Sequence, residues 1–417
     1  MDKLIVKNFG PLKDVEIELN KINLFIGENG SGKSVLAKLI TIILNFSNNN
    51  NEKLLKSFFD YHIDFITKNT FIELKVNNEL LLSIADEKII FSELLQNFYK
   101  IDMTYSKQSA DLVKIKETNH LIANSLKKLK KIKTSKISNF FNKIFNKQDV
   151  DIETLNSLLT KNNVAKNEID QLNDEIEEPK IIFMDILKQY TPQYIQAERN
   201  FISLFNKSLS TLLVADVPLP KFLLHFSSEF EKAGNTIKEL NVLNVKYVNT
   251  DSQNRHKIYY DDNESLDLSE SSSGIQSAIP LYLTVKYLSE KHRNIIIEEP
   301  EQNLFPKAQK ETVEFIIENI NEDNALFMMT HSPYILTSLN NLILANDVKE
   351  QKGLDAIKGI VDEKHCVAFE DVSAYSIVDG KAIDIMDKED RLIGVNVIDS
   401  ISDEVSHTFD TLLSKLD

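Results

Sequence analysis

The residues with the clearest chemical potential form a Gly-x-x-x-x-Gly-Lys-Ser motif at positions 27–34. The motif follows an apolar run, 22–26, and precedes a helical run, 35–44, which is the strand, loop and helix order of a phosphate-binding loop. Glycines let backbone N–H groups surround phosphates, Lys33 can reach the β and γ oxygens, and the Ser34 hydroxyl can join a Mg²⁺ shell. A simple glycine turn is the alternative, but it leaves the Gly-Lys-Ser run unexplained. The nucleotide contacts expected from this motif are Asn29, Gly30, Ser31, Gly32, Lys33 and Ser34.

A second chemical element is a pair of adjacent carboxylates after an apolar run, 294–297. Ligands of open α/β sheets bind at the carboxyl ends of the strands, so Glu298 and Glu299 are expected beside the phosphate-binding loop. Neighbouring side chains at a strand end point in different directions. We therefore assign Glu298 to the metal and Glu299 to the attacking water, which it orients or deprotonates. The alternative is two solvated acids at a strand end.

Two further candidate site elements, a serine run and His331, give weaker sequence signals. A serine run at a helix start, 271–276, offers hydroxyls, one glycine and free N–H groups, which together can hold an anion. Because the chain already has a phosphate-binding loop, we expect Ser273, Gly274 and Gln276 to serve a nucleotide bound to another copy, although serine runs are often only helix caps. His331 follows an apolar strand, where a lone histidine is often structural. Because the other motifs occur in the same order and spacing, we expect His331 to be catalytic.

The elements that position these residues alternate between strands and helices, which is typical of an α/β sheet. A long helical stretch interrupts this alternation. We predict an α/β head, with mixed sheets and a phosphate-binding loop, and an inserted helical coiled-coil hairpin. The predicted segments are an N-terminal lobe at 1–84, the coiled-coil insertion at 85–189, a second part of the head at 190–345, and a C-terminal hairpin and helix appendage at 346–417. The hairpin should turn at Asp379 and Gly380.

Opposite charges distinguish the two arms of the predicted insertion. Lysines concentrate at 127–136 and acidic residues at 168–178, and this contrast would favour antiparallel pairing of the arms. The alternative is a tip near Lys143 and Lys147, interleaved with Phe140, Phe141 and Phe145, that contacts DNA or a partner.

Composition restricts the class of protein. The formal charge of -15 over 417 residues argues against coating nucleic acid indiscriminately, although it permits a local basic patch. A single cysteine, Cys366, excludes an intrachain disulfide and fits a reducing compartment. The start of the chain lacks the pattern of a signal peptide, and no apolar run is long enough to span a bilayer. We therefore expect a cytoplasmic protein without membrane contact.

Taken in order, these stretches resemble the ABC-type ATPases of the SMC, RecF and OLD-like (overcoming lysogenization defect) group, of the kind found in bacterial anti-phage defence. The resemblance rests on the run 7–34, the signature-like run 273–276, the acidic strand end 298–301 and the run 330–333. It implies two heads that sandwich two ATP molecules with Mg²⁺, and therefore a homodimer or a higher homo-oligomer. Ser273 and Gly274 of one head would face the γ-phosphate held by Lys33 of the other. His331 would sense that phosphate.

Three positions depart from the family pattern. Glu298 replaces the usual aspartate of the Walker B strand, a substitution that OLD-like members share. Ile275 stands where transporters have a second glycine, which argues against a transporter subunit. Gln196 lies in the segment 194–199, which resembles a family segment that often has proline at this position. We assign Gln196 to the metal or its water.

The tail narrows the expected function. OLD-like nucleases continue into a Toprim domain with an Asp-x-Asp metal pair, which Asp379, Asp384 and Asp387 do not form. We therefore expect an ATP-hydrolysing sensor or regulator of a separate effector, with a nuclease as the first candidate. One alternative is a RecF- or SMC-like DNA-repair ATPase that acts directly on DNA. Another is a scaffold that binds ATP without hydrolysing it.

Overall fold

The structure is a computed structural model that describes most of the chain outside 101–190. The described residues are 2–100 apart from 46, 77, 94 and 98, then 191–205, 215, 217–250, 255–261, 264–289, 291, 294–321, 325–394 and 406–415. Nearly all of the predicted coiled-coil insertion, 85–189, with its charged arms and its lysine-bearing tip, therefore lies outside the described residues.

The described residues form strands and helices in alternation, as the sequence predicts. The strands are β1 (Asp2–Phe9), β2 (Leu12–Leu19), β3 (Ile22–Ile26), β4 (Phe71–Val76), β5 (Glu79–Ala85), β6 (Lys88–Phe91), β7 (Gln193–Ile195), β8 (Glu239–Val242), β9 (Val245–Thr250), β10 (Arg255–Tyr259), β11 (Ser265–Asp267), β12 (Ile295–Glu298), β13 (Leu326–Thr330), β14 (Val372–Val378), β15 (Lys381–Asp384), β16 (Met386–Asp387) and β17 (Leu392–Ile393). The main helices are α1 (Lys33–Ile43), α2 (Asn51–Asp60), α3 (Asn200–Phe205), α4 (Lys221–Thr236), α5 (Ser273–Ser289), α6 (Pro306–Glu318) and α7 (Pro333–Lys352).

One large mixed sheet organises the head. Its eleven strands run in the order β6-β5-β4-β1-β2-β15-β14-β3-β13-β12-β7. The part from β14 to β7 is parallel, whereas the part from β6 to β2 is antiparallel. Every residue of β3, β12 and β13 is buried, as expected for parallel strands with helices on both faces. The mixed α/β fold predicted from the sequence is confirmed.

The two faces of this sheet carry different helices. Side chains alternate between faces along a strand, and Phe25 of β3 packs in one core with α1, while Leu24 packs in the other with α5. The same alternation holds for Ile296 and Ile297 of β12. The helix after the phosphate-binding loop and the helix after the serine run therefore lie on opposite faces of one sheet.

The C-terminal hairpin is part of the sheet, which corrects its assignment to an appendage. Strand β14 lies parallel to β3 near the centre of the sheet, and its first six residues are buried. The hairpin turns at Asp379 and Gly380, as predicted, and both residues have positive φ, 49° and 76°. The Gly380 carbonyl accepts a hydrogen bond from the Lys13 N–H at 2.7 Å.

Two other element boundaries differ from the sequence prediction. Strand β6 pairs with β5, so the sheet continues beyond residue 84, the boundary at which the sequence predicts that the head's N-terminal lobe ends. The sequence pattern near 222–240 is typical of one helix, but α4 ends at Thr236 and β8 follows it. Leu243 and Asn244 both have positive φ and form the turn to β9, which the sequence did not reveal. These strands belong to a second, four-stranded sheet, β11-β10-β9-β8. Among the described residues, no helix combines the length and apolar character needed to cross a membrane.

Candidate functional site

The carboxyl ends of the parallel strands gather the sequence-predicted residues at one edge of the sheet. Thr330 at the end of β13 pairs with Ile26 at the end of β3, and Glu298 of β12 pairs with Met329. The phosphate-binding loop, the acidic turn and His331 follow these strand ends directly. Gln196 follows β7, which is the next strand beyond β12. The structure therefore brings Lys33, Glu298, Glu299, His331 and Gln196 to one edge, as the sequence predicts.

The phosphate-binding loop has the conformation that its glycines permit. Gly30 and Gly32 have φ of 79° and 109°, values that residues with a Cβ rarely adopt. The Lys33 ammonium donates to the carbonyls of Gly27 at 2.7 Å and Glu28 at 2.8 Å. Asn29, Gly30 and Ser34 are exposed and Ser31 is half-buried, so the loop is open to a ligand.

Electrostatics link the loop lysine to the acidic strand end. Burial lowers the pKa of Lys33, while the charges of Glu299, Glu301 and Glu298, in that order, oppose this shift. The positive charge of Lys33 and the negative charges of these three glutamates therefore interact within a single site.

Glu298 is buried on the α1 side of the sheet. Burial raises the pKa of its carboxyl to about 7, and hydrogen bonds from the hydroxyls of Tyr194 and Ser34 partly oppose this rise. Its Oε1 atom has no hydrogen-bond partner among the described residues. A buried carboxylate with a free oxygen beside Ser34 is suited to a cation or to a water molecule.

Gln196 also has buried side-chain atoms without a hydrogen-bond partner, and both of its polar side-chain atoms are affected. It is fully buried, and neither its Oε1 nor its Nε2 has a hydrogen-bond partner in the described part of the chain. Buried polar groups are nearly always paired, so unpaired atoms on Gln196 and Glu298 indicate a ligand position. Oxygen ligands from a hydroxyl, a carboxylate and an amide are those that Mg²⁺ prefers beside phosphates. The residues present therefore fit a Mg²⁺–nucleotide complex held by Ser34, Glu298 and Gln196.

The acidic turn and His331 are held together by Glu301. The Glu301 Oε1 atom accepts hydrogen bonds from the Thr330 hydroxyl at 2.7 Å and from the His331 N–H at 2.9 Å. The His331 Nδ1 atom lies 3.6 Å from Glu301 Oε1 and 3.7 Å from Glu299 Oε1. Glu301 belongs to the acidic strand end 298–301, but no role for it follows from the sequence alone. The sequence feature that could have pointed to Glu301 is that it is the third acidic residue of the Glu-Glu-Pro-Glu run.

The serine run leads into the start of α5, with Ser271 buried and Ser272 exposed. Ser273 is exposed, and a Cβ at Gly274 would lie 2.9 Å from the Asn303 carbonyl oxygen, so this position requires glycine. The Gln276 amide donates to the carbonyls of Ser269 at 2.9 Å and Ser271 at 2.8 Å. Gln276 therefore shapes the loop from inside, and the direct nucleotide contact that we expected would require it to give up these bonds.

Sequence reasoning missed one further residue, Arg199. It is fully buried and donates hydrogen bonds to backbone carbonyls of both β12 and α5. The available signal was an arginine three residues after Gln196, in a segment that follows a buried strand.

The fold and the site together define a P-loop ATPase. Residues 1–336 match the family model AAA_15, described as AAA ATPase domain. The chain belongs to this family. The matched segment ends before β14 and β15, although both strands lie inside the sheet.

Solved structures of SMC head domains are similar at low sequence identity. One is the Smc head domain with an extended coiled coil, bound to the C-terminal domain of ScpA, from Pyrococcus furiosus, with 12% identity over 97% of this chain and 100% of that chain and a TM-score of 0.35. Another is the SMC head domain from Thermotoga maritima, with 9% identity over 92% and 97% and a TM-score of 0.37. Comparison with curated proteins gives no significant match.

Proposed function

We propose that this chain is an ABC-type, SMC-like ATPase head that binds and hydrolyses ATP between two copies of itself. The observation that carries the proposal is the placement of α1 and α5 on opposite faces of one sheet. Each helix begins with an anion-binding loop. The phosphate-binding loop lies against Leu12 and Gly274 lies against Asn303, so the two loops of one head have different surroundings. A second copy can bring its Ser273 to the phosphate held by Lys33 of the first.

Each residue of the proposed site has one role. When bound, Mg²⁺ would neutralise charge on the phosphate oxygens, and Ser34, Glu298 and Gln196 would hold it. Lys33 binds the β and γ oxygens. Glu299 orients the attacking water and accepts its proton.

His331 supplies the contact to the γ-phosphate. Its backbone is fixed by Glu301, and its ring is exposed at the edge of the sheet where the nucleotide would bind. The ring can therefore donate to a phosphate oxygen without first giving up a buried position.

We further propose that nucleotide-dependent pairing of the heads regulates a separate effector, with a nuclease in bacterial anti-phage defence as the first candidate. The support for this part is the resemblance of the ordered motifs to OLD-like ATPases. Purification of the tagged chain from its native host should recover a second protein at fixed stoichiometry. Recovery of the chain alone, with duplex DNA stimulating its hydrolysis, would favour the RecF-like alternative.

The ATPase proposal is tested by the dependence of hydrolysis on protein concentration. If two copies form the site, activity per chain rises with concentration and reaches a plateau as dimers form. Ser273→Arg should abolish the rise while leaving ATP bound to the phosphate loop. Activity per chain that is constant across concentrations, and unaffected by Ser273→Arg, would contradict the proposal.

A further inference from the structure

Arg199 lies between the elements of the site without belonging to any of them. Its side chain is fully buried and donates four hydrogen bonds, all to backbone carbonyls. The guanidinium contacts Ser277 O from Nε at 3.0 Å, Glu298 O and Gln196 O from Nη1 at 2.9 and 3.3 Å, and Glu299 O from Nη2 at 2.8 Å.

These carbonyls belong to the three segments that carry the proposed chemistry. Gln196 and Glu298 are proposed to hold the metal, and Glu299 is proposed to act on the water. Ser277 lies four residues after Ser273, in the first turns of the helix that follows the signature-like loop. One side chain therefore fixes the acidic turn relative to both the Gln196 segment and α5.

The arrangement requires arginine rather than a generic cation. Only a planar guanidinium presents five N–H donors in a rigid fork, whereas a lysine ammonium has three donors around one point. Burial lowers the pKa of Arg199 to about 10, and the charges of Glu301, Glu299 and Glu298 oppose the shift. The side chain thus keeps its positive charge at neutral pH, directly behind the acidic turn.

The backbone of Glu299 shows why such a fixing contact is needed. Glu299 has a φ of 45°, in the left-handed region that residues with a Cβ avoid. Its N–H donates to the Met329 carbonyl at 2.8 Å, and its own carbonyl accepts from Arg199. The unfavourable conformation of Glu299 is thereby held by hydrogen bonds at both its N–H and its carbonyl.

We propose that Arg199 is a positioning residue for ATP hydrolysis, which holds the Glu299 turn in its productive geometry and ties it to the helix of the signature-like loop. This role rests on the proposed function of Glu299. It also links the two composite sites of a dimer, because α5 of each head would contact the partner's nucleotide while Arg199 connects α5 to that head's own Glu299.

The test compares Arg199→Lys with Arg391→Lys in the full chain. Arg391 is a surface arginine paired with Asp347 and Glu370, so it controls for the substitution itself. For Arg199→Lys we expect kcat to fall about a hundredfold with little change in KM, because a small misplacement of a reacting group costs this much. Arg391→Lys should leave both parameters unchanged. Rates are normalised to the folded fraction measured by circular dichroism.

A second variant separates positioning from simple destabilisation. Arg199→Ala leaves space lined by the same four carbonyls, so low concentrations of guanidinium ion should restore part of kcat, whereas equal concentrations of ammonium or sodium should not. A normal kcat in Arg199→Lys would overturn the proposal, as would a loss that guanidinium does not restore in folded Arg199→Ala. Absence of hydrolysis by the wild-type chain would instead count against the proposed ATPase function.

Discussion

The backbone N–H of His331 donates a hydrogen bond to the buried carboxylate of Glu301 at 2.9 Å. The same oxygen accepts from the Thr330 hydroxyl at 2.7 Å. A side chain from the loop after β12 thus fixes the start of the loop after β13. Because the two loops carry Glu299 and His331, this contact sets the spacing between the proposed base and the proposed phosphate sensor.

Glu301→Ala should therefore impair hydrolysis more than it impairs nucleotide binding. The substitution leaves the N–H of His331 and the hydroxyl of Thr330 without an acceptor, which costs about 1–3 kcal/mol for a buried group. We expect lower kcat, a lower melting temperature and an almost unchanged ATP affinity. Glu301→Gln retains a carbonyl oxygen at the same place and should keep more activity. Equal effects of the two variants on kcat would show that the charge of Glu301, rather than this contact, matters.

Glu299→Gln should slow hydrolysis while leaving ATP binding intact. Removing a general base typically reduces the rate by about 10²- to 10⁴-fold. Glutamine preserves the size of the side chain, so the nucleotide should remain bound and the paired heads should accumulate. Light scattering after size exclusion, with and without ATP, measures this directly. Unchanged turnover in Glu299→Gln would assign the base elsewhere, and an absence of turnover in the wild type would favour the scaffold alternative.

Gly380→Ala should weaken ATP binding from outside the nucleotide site. A Cβ at Gly380 would collide with the Pro11 carbonyl, and Pro11 and Leu12 in turn pack against Gly32 of the phosphate-binding loop. Gly359 provides a matched control, because its φ of 78° is close to the 76° of Gly380 while its Cβ would meet open space. We expect Gly359→Ala to bind ATP normally and Gly380→Ala to bind it more weakly. Equal ATP affinities in the two variants would show that the packing of Gly380 against Pro11 does not influence the phosphate-binding loop.

Stability at mildly acidic pH should depend on His256. Burial lowers the pKa of His256 to about 4 from 6.5, and its Nδ1 atom forms a hydrogen bond with the Tyr247 hydroxyl at 2.7 Å. The unfolded chain therefore binds a proton that the folded chain excludes, so stability is lost as the pH falls from about 6.5 towards 4, by up to about 3 kcal/mol.

His256→Asn should remove this part of the pH dependence. The variant is less stable at neutral pH because it loses the contact with Tyr247, but its difference from the wild type should narrow as the pH falls. Chemical unfolding of both proteins between pH 7 and pH 4.5 measures the difference. A constant difference across this range would show that His256 is not the titrating group.

The sequence predicted the nucleotide site because the signals for such a site are local. The phosphate-binding loop requires glycines and Lys33 at fixed positions beside a strand, and the acids follow directly after a fully apolar run. Such patterns depend on neighbours along the chain, and strand β3 is found at the residues predicted for it.

The parts that the sequence did not reveal depend on contacts between distant segments. The proposed role of Arg199 depends on its hydrogen bonds to the carbonyls of Ser277 and Glu299. These residues lie 78 and 100 positions further along the chain. Strand β14 looks like one arm of an independent hairpin until β3 is placed beside it. The position of Glu301 relative to His331 likewise depends on the pairing of β12 with β13.

Mixing two inactive variants tests the central claim most directly. Lys33→Ala lacks the phosphate-binding lysine but keeps Ser273, whereas Ser273→Arg keeps Lys33 but blocks the signature-like loop. In a mixed dimer, Lys33 of one chain meets Ser273 of the other, so one of the two sites is intact. An equimolar mixture should recover roughly a quarter of wild-type ATPase activity, because random pairing makes half of the dimers mixed. A mixture that is as inactive as its two components would contradict an ATP site shared between two heads.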